Sequence, residues 1–196
     1  MKIAIIKYNA GNICSVINAL KRIGIDPVLT DQADVIRAAD RVVFPGQGEA
    51  SSAMACLRER GLDEVIRSLQ QPVLGICIGQ QLLCQHSDEG DTQCLGIIPA
   101  DVKRFAPLRH EDKVPAMGWL PVSWQGDNAP QEPISYYFVH SYYVPRCEWT
   151  LASANYITPY SAALHKDNFW STQFHPEKSG PQGEALLRRF IEEGRL

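Results

Sequence analysis

The sequence predicts a single α/β domain: an open, mixed, mostly parallel sheet flanked by helices, with an additional antiparallel β portion. Three observations carry this. Short apolar runs alternate with helical periodicity through the first half. One run, Pro72-Val73-Leu74-Gly75-Ile76, is apolar throughout between turn residues, as a buried parallel strand requires. Beyond about Gly96 the texture changes to short β-rich runs punctuated by Pro and Gly. A length of 196 residues suits one unit, 1–196, able to bury a core without disulfides or metal.

Taken in order, Ile3 to Ile6 reads as a strand. Ile13, Val16, Ile17, Leu20 and Ile23 then recur at helical spacing and stop at Gly24, a C-cap residue. A second strand lies around Pro27-Val28-Leu29 and a third at Arg41-Val42-Val43-Phe44, broken by Pro45-Gly46-Gln47-Gly48. Leu62, Val65, Ile66 and Leu69 mark a further helical face before the Pro72–Ile76 run, and a helical run with Leu82 and Leu83 follows it. Ile134 to Val139, Trp149 to Ala154 and Phe169 to Phe174 are the clearest later strands, expected as antiparallel additions. Leu186, Leu187, Phe190 and Ile191 share one face of a last helix. There is no internal repeat, low-complexity tract or linker.

A formal net charge of -3 argues against a dedicated polyanion binder, so nucleic acid and membrane are not expected partners. The opening apolar stretch is too short for a secretion signal or membrane span, and a cytoplasmic protein is expected. Six cysteines at irregular spacing, with no C-x-x-C pair, suggest reduced thiols and neither a zinc site nor a disulfide framework.

Among those thiols Cys77 stands apart. Gly75-Ile76-Cys77-Ile78-Gly79 follows a predicted strand and precedes a helix, the context of a nucleophile elbow with cysteine in the serine position. Small neighbours are needed where a strained nucleophile packs closely, and the helix start favours thiolate. Taken alone, a buried thiol in a glycine-rich turn is an equal alternative. A base elsewhere shifts the balance: Phe174-His175-Pro176-Glu177 ends the last predicted strand, and extended spacing of two puts His175 and Glu177 on one side. The carboxylate then fixes the tautomer of an imidazole that takes the proton from Cys77. His86, His110 and His165 have no such partner and read as ordinary surface or hydrogen-bonded residues, while Cys84, seven residues after Cys77, reads as a helical core position.

Gly75-Ile76-Cys77-Ile78-Gly79-Gln80-Gln81 with His175-Pro176-Glu177 resembles the class I (triad) glutamine amidotransferases, over essentially the whole chain. Within that family the chain is most similar to the amidotransferase subunits of imidazole glycerol phosphate synthases, through Gly11-Asn12, Ser15-Val16, Pro45-Gly46-Gln47-Gly48, Met117-Gly118-Trp119 and Phe138-Val139-His140-Ser141-Tyr142. The resemblance implies cofactor-free, metal-free hydrolysis of L-glutamine, with ammonia passed to a separate (β/α)8-barrel cyclase in a heterodimer. That cyclase makes imidazole glycerol phosphate and an aminoimidazole carboxamide ribotide for histidine biosynthesis. It implies catalysis by Cys77, His175 and Glu177, and oxyanion stabilisation by the backbone at Gly46, Gln47, Gly48 and Ile78. Gln81, Glu89, Ser141 and Tyr142 would hold the amino-acid end of glutamine, while Asn12, Trp119, Tyr137 and Lys178 would meet the barrel. Without the family, Gln81 and Glu89 read as a solvated helix face, the Pro45–Gly48 segment as a plain turn, and the interface set as exposed aromatics with a solvated lysine.

The chain departs from the family at Lys7 and Asn9 in the opening loop, at Gln47 where valine is usual, and at Leu120 where asparagine is common. Because the sequence stops one helix after the triad, the synthase is expected on another polypeptide. Alternatives with the same triad are the amidotransferase subunits of anthranilate or pyridoxal phosphate synthesis, separable by complementation of auxotrophs. A γ-glutamyl peptidase is separable by its preference for γ-glutamyl peptides over free glutamine. A degenerate scaffold that binds a partner without turnover is opposed by the intact triad.

Overall fold

The computed structural model describes residues 1–196 apart from Ala10, Asn12, Gln47, Asp127 and Asn128. The first half alternates strands and helices: β1 (Ile3–Ile6), α1 (Ile13–Arg22), β2 (Val28–Thr30), α2 (Ala33–Arg37), β3 (Arg41–Phe44), α3 (Ala50–Glu59), α4 (Leu62–Arg67), β4 (Val73–Ile76) and α5 (Ile78–Leu83). The second half is mainly strands: β5 (His86–Ser87), β6 (Thr92–Gln93), β7 (Asp101–Arg104), β8 (Ala116–Trp124), β9 (Ile134–His140), β10 (Tyr142–Tyr143), β11 (Thr150–Asn155), β12 (Pro159–Lys166) and β13 (Phe169–Thr172). A 3-10 turn, Pro176–Lys178, leads into α6 (Gly180–Glu193).

The strands form a nine-stranded sheet ordered β2-β1-β3-β4-β13-β12-β11-β8-β9 and a small sheet ordered β10-β7-β5-β6. Pairings from β2 through β4 to β13 are parallel, and those from β13 out to β9 are antiparallel. The expected mixed sheet with an antiparallel portion is what forms. β13 is the last strand of the large sheet in sequence, yet it lies beside β4. That insertion brings the segment carrying His175 next to the segment carrying Cys77.

Helices cover both faces of the parallel half, which explains why β1 and β4 are buried at every position rather than alternating. Val16, Leu20, Leu187, Phe190 and Ile191 close one face under α1 and α6, while Met54, Leu57, Leu62, Ile66, Leu82 and Leu83 close the other. The antiparallel half has its own core of Tyr136, Phe138, Tyr160 and Phe174, where the Tyr136 and Phe174 rings stack at 4.1 Å. The first helix stops as expected: Gly24 has φ +86, and the Gly24 and Ile25 amides return to Lys21 and Leu20 carbonyls.

Two sequence readings are corrected. The strand expected over Phe169 to Phe174 as an antiparallel addition runs parallel to β4 and antiparallel only to β12, and it ends at Thr172, because Thr172 Oγ1 turns to the Phe174 carbonyl (2.9 Å) and the chain heads for the 3-10 turn. Cys84 is fully buried, but it caps α5 in an extended conformation instead of lying within the helix. Helix α3 and the two longest strands, β8 and β12, were not among the expected elements.

Candidate active site

Cys77 follows β4 immediately and precedes α5, with φ +54 and ψ −107. For a non-glycine residue this is strained backbone, the kind held only where surroundings over-determine it. Here the Cys77 amide donates to the Thr172 carbonyl of β13 (2.7 Å), and the amides of Gln80 and Gln81 return to the Cys77 carbonyl. The flanking glycines serve close approach: a Cβ on Gly79 would strike the Phe44 carbonyl, and one on Gly75 would sit 2.9 Å from Leu83 Cδ1. This is the elbow the sequence predicts. The side chain is nearly buried, its thiol 4.0 Å from the Val139 carbonyl.

His175 lies three residues beyond the end of β13, the strand that neighbours β4. Its amide donates to the Tyr137 carbonyl (2.9 Å), and its own carbonyl accepts from Ser179 Oγ (2.6 Å) and the Lys178 amide (3.0 Å). Its Nδ1 donates to Glu177 Oε1 at 2.8 Å, with both side chains almost fully buried. The partnership is the expected one, but extended alternation does not make it: Pro176 starts the 3-10 turn and swings Glu177 back under the ring. Burial pushes the imidazolium down, yet the Cys77 sulfur and then Glu177 overcome it, lifting His175 from 6.5 to about 10. Nε2 makes no hydrogen bond of good geometry among the described residues, so the ring and sulfur are coupled chiefly through charge.

A cavity of about 260 Å³ opens on Cys77, lined also by Gly48, Ile78, Gln81, Glu89, Ser141 and Tyr142. Two larger hollows beside α6, which share Trp124, Pro130, Arg189 and Leu196, include none of the candidate residues. The structure therefore brings the triad candidates, the glutamine-binding candidates and part of the oxyanion segment to one place. Gln81 is not on a solvated helix face: it is buried, and its Nε2 donates to the Tyr142 carbonyl (3.0 Å) and to Gln173 Oε1 (3.1 Å). Glu89 is half-buried and accepts the Ala50 amide at the start of α3 (2.8 Å). Burial raises its pKa, the Ala50 hydrogen bond opposes this, and Glu49 adds to it.

The two glycines of the segment expected to bind the oxyanion act differently. Gly48 has φ +140, a conformation that suits glycine, with open space around it. Gly46 is needed for room: a Cβ there would collide with Ile78 Cγ2 and lie 2.8 Å from the Tyr8 hydroxyl. Gln47 lies outside the described residues, as does Asn12. Trp119, Tyr137 and Lys178 cluster on one surface. Trp119 pairs with Tyr137 across β8 and β9 and meets its ring edge-on at 6.3 Å, while Lys178 Nζ lies 5.9 Å over the Tyr137 ring. Trp119 and its neighbour Met117 are conspicuously exposed, at 53% and 69%.

Sequence reasoning passed over three residues here. Tyr8 donates its hydroxyl to the Pro45 carbonyl (2.6 Å), and burial, reinforced by Cys77 and Cys56, raises its pKa. His140 lines the cavity and donates Nδ1–H to the Tyr142 carbonyl (2.8 Å); burial drives its pKa down to about 4, the Tyr142 bond opposing and His175 assisting. Gln173 is wholly buried, with Nε2 3.7 Å from the Cys77 sulfur. Available signals were a polar residue inside an otherwise apolar strand pattern, at Phe138-Val139-His140 and at Gln173-Phe174.

The sequence profile of the family described as Glutamine amidotransferase class-I matches residues 5–193. The imidazole glycerol phosphate synthase subunit HisH of Bacteroides fragilis (strain YCH46) is 56% identical, over 98% of this chain and 100% of its own. The HisH subunit of Idiomarina loihiensis is 46% identical, over 98% of each. Among solved structures, a glutamine amidotransferase superposes with a TM-score of 0.77 at 20% identity, covering 99% of both chains. A putative GMP synthase protein from Thermoplasma acidophilum superposes with a TM-score of 0.73 at 19% identity, covering 97% of this chain and 92% of that one. These two likenesses establish the fold, and the full-length profile and high-identity relatives establish more: the chain belongs to the class-I glutamine amidotransferases.

Proposed function

We propose that this chain, as one amidotransferase unit over 1–196, is the glutaminase subunit of an imidazole glycerol phosphate synthase. It would act in the cytoplasm beside a separate (β/α)8-barrel cyclase. The observation that carries the reading is His175, bonded to Glu177 and electrostatically coupled to Cys77, at a cavity sized for a small amino acid. The high identity to HisH subunits supports the choice of pathway. Among the described residues no helix is long and apolar enough to cross a membrane.

In the chemistry we envisage, the Cys77 sulfur attacks the side-chain amide carbon of glutamine while His175 holds the thiol proton. The resulting oxyanion is met by backbone N–H groups near Ile78 and the Gly46–Gly48 segment, an interaction worth about a hundred- to a thousand-fold in rate per donor. Collapse breaks the C–N bond, His175 delivers its proton to the nitrogen, and ammonia leaves. His175 then takes a proton from water as it attacks the thioester, freeing glutamate and returning the proton to sulfur. Gln81 offers its remaining carboxamide oxygen, and Glu89 a carboxylate oxygen, to the substrate ammonium, while the Ser141-Tyr142 backbone faces the carboxylate end.

The cyclase would dock on the face of Trp119, Tyr137 and Lys178. The backbones of Tyr137 and Lys178 bond the His175 backbone directly, so contact there reaches the base in one step. The test is reconstitution with the cognate cyclase. Glutamine should support formation of imidazole glycerol phosphate, and Cys77→Ala should end that support while ammonium salts still sustain the cyclase. Glutamine hydrolysis without imidazole glycerol phosphate would reassign the acceptor, and no hydrolysis in the complex would remove the glutaminase assignment.

A further inference from the structure

Gln173 is the buried polar side chain that the reaction above leaves unused, and its surroundings have a fixed polarity. The Tyr142 carbonyl can only accept, and it takes hydrogens from His140 Nδ1 (2.8 Å) and Gln81 Nε2 (3.0 Å). Gln81 must therefore turn its amino end this way. Its second N–H meets Gln173 at 3.1 Å, which requires the Gln173 oxygen there and sends the Gln173 amino end toward the Cys77 sulfur, 3.7 Å away. The Gln173 backbone is anchored just past the end of β13 by its amide on the Ala162 carbonyl of β12 (2.8 Å), and the residue has no exposed surface.

We infer that Gln173 is a positioning residue of the glutaminase: oriented by Gln81, its amide donates N–H to the Cys77 sulfur, favours the thiolate, and links the amino-acid subsite to the nucleophile. The inference rests on Cys77 being the nucleophile. A sulfur anion gains from a fixed, buried donor, and the polarity of a single backbone carbonyl is carried across two side-chain amides to reach it. The same orientation leaves Gln81 with only an oxygen to offer, suited to an ammonium group in the cavity.

The test uses the full chain, iodoacetamide as probe, and mass spectrometry to read alkylation of Cys77 separately from the other cysteines. L-Glutamine is titrated as protectant. Gln173→Glu keeps an acceptor for Gln81 and, read at a pH where the new carboxyl is ionised, presents an acceptor instead of a donor to sulfur. Alkylation of Cys77 should fall by about tenfold or more, the scale of a hydrogen bond to a charged group, while the half-protecting glutamine concentration stays near that of the unsubstituted chain. Gln173→Met loses both contacts, so it should slow alkylation and also weaken protection. Thiolate absorbance near 240 nm, taken against the matching Cys77→Ser chain, should fall in both variants. Folded Gln173→Glu that reacts at the unsubstituted rate would overturn the inference; if that variant does not fold, an unsubstituted rate in Gln173→Met does so. Failure of glutamine to protect Cys77 in the unsubstituted chain would instead remove the nucleophile assignment, and this inference with it.

Discussion

His175 and His140 sit in two neighbouring regions with almost the same burial, 1% and 5% exposed, yet their charges are driven in opposite directions. Desolvation pushes both imidazoles toward the neutral form. Around His175 the Cys77 sulfur and then Glu177 reverse the push and carry it to about 10. His140 has a backbone carbonyl and the rings of Phe105, Phe138 and Tyr160 within 6 Å, no carboxylate among the groups that shift it, and His175 as a repelling neighbour; it falls to about 4. The difference teaches that depth alone does not decide protonation. One histidine is built to hold a proton beside the proposed nucleophile, and the other to remain a neutral, fixed hydrogen-bonding group.

The largest expected effect comes from removing the sulfur that distinguishes the two. Cys77→Ala should cut glutamine hydrolysis by about a million-fold, the scale found when a nucleophile of a concerted triad is lost. It also deletes the strongest influence raising His175, so the imidazole should titrate lower in the variant, measurable by NMR. An unmoved His175 titration would break the proposed contrast. Glu177→Gln should cost less, about a hundred- to ten-thousand-fold in kcat/KM, because an orienting group improves the base without transferring the proton. If it proved as damaging as Cys77→Ala, the roles within the triad would need reassignment.

Much of this was legible in the sequence where a residue's neighbours in the chain are also its neighbours in space. The Cys77 elbow depends on glycines two positions away on either side, and the His175–Glu177 pair spans one proline, so both could be read locally. The alternation of Ile3–Ile6 and Pro72–Ile76 with helical faces likewise announced the parallel half. Helix α3 escapes such a reading because two of the four residues on its buried face, Ala50 and Ala53, are alanines, and only Met54 and Leu57 mark it as strongly apolar. The turn joining His175 to Glu177 reads as extended because spacing of two suits either geometry. Gln173 could not be assigned a role from spacing, since Cys77 is 96 residues away, and His140 could not because its Tyr142 partner, though only two residues on, is a backbone carbonyl that leaves no mark on side-chain pattern.

The next effect is a pH dependence of stability whose two limbs belong to the two histidines. His140 has a folded pKa below its ordinary 6.5, so the neutral fold binds the proton less readily than the unfolded chain does. Its contribution is present above pH 6.5 and is lost as pH falls toward about 4, by roughly 3 kcal/mol in total. His175 has the opposite sign: its contribution is complete below 6.5 and is lost as pH rises through about 10. Urea unfolding across pH 4 to 10 separates the limbs, the endpoints being approximately those shifted values. His140→Asn, which keeps a donor for the Tyr142 carbonyl but does not titrate, should flatten the acid limb and leave the alkaline limb in place. An acid limb unchanged in that variant would show that other groups set it.

The smallest effect tests whether the two regions are mechanically separate. Ser179 stands at the N-cap position of α6 but does not cap it; its hydroxyl donates to the His175 carbonyl (2.6 Å) and accepts the Tyr137 amide (3.0 Å). Ser179→Ala leaves the His175 carbonyl with the Lys178 amide alone and strips the Tyr137 amide of that acceptor. Leaving such a group unsatisfied costs about 1–3 kcal/mol, and a value near the lower end fits because the surface cluster of Tyr137 is only half-buried. The His175–Glu177 bond is untouched, so hydrolysis should slow by less than in Glu177→Gln, through a small displacement of the ring. None of these contacts reaches His140, whose ring is held by Tyr142 and the aromatic core. The loss of stability should therefore be the same at pH 7 and pH 5. A loss that grows on acidification would mean that shifting the His175 backbone also alters His140, and the two histidines would then have to be treated as one coupled site.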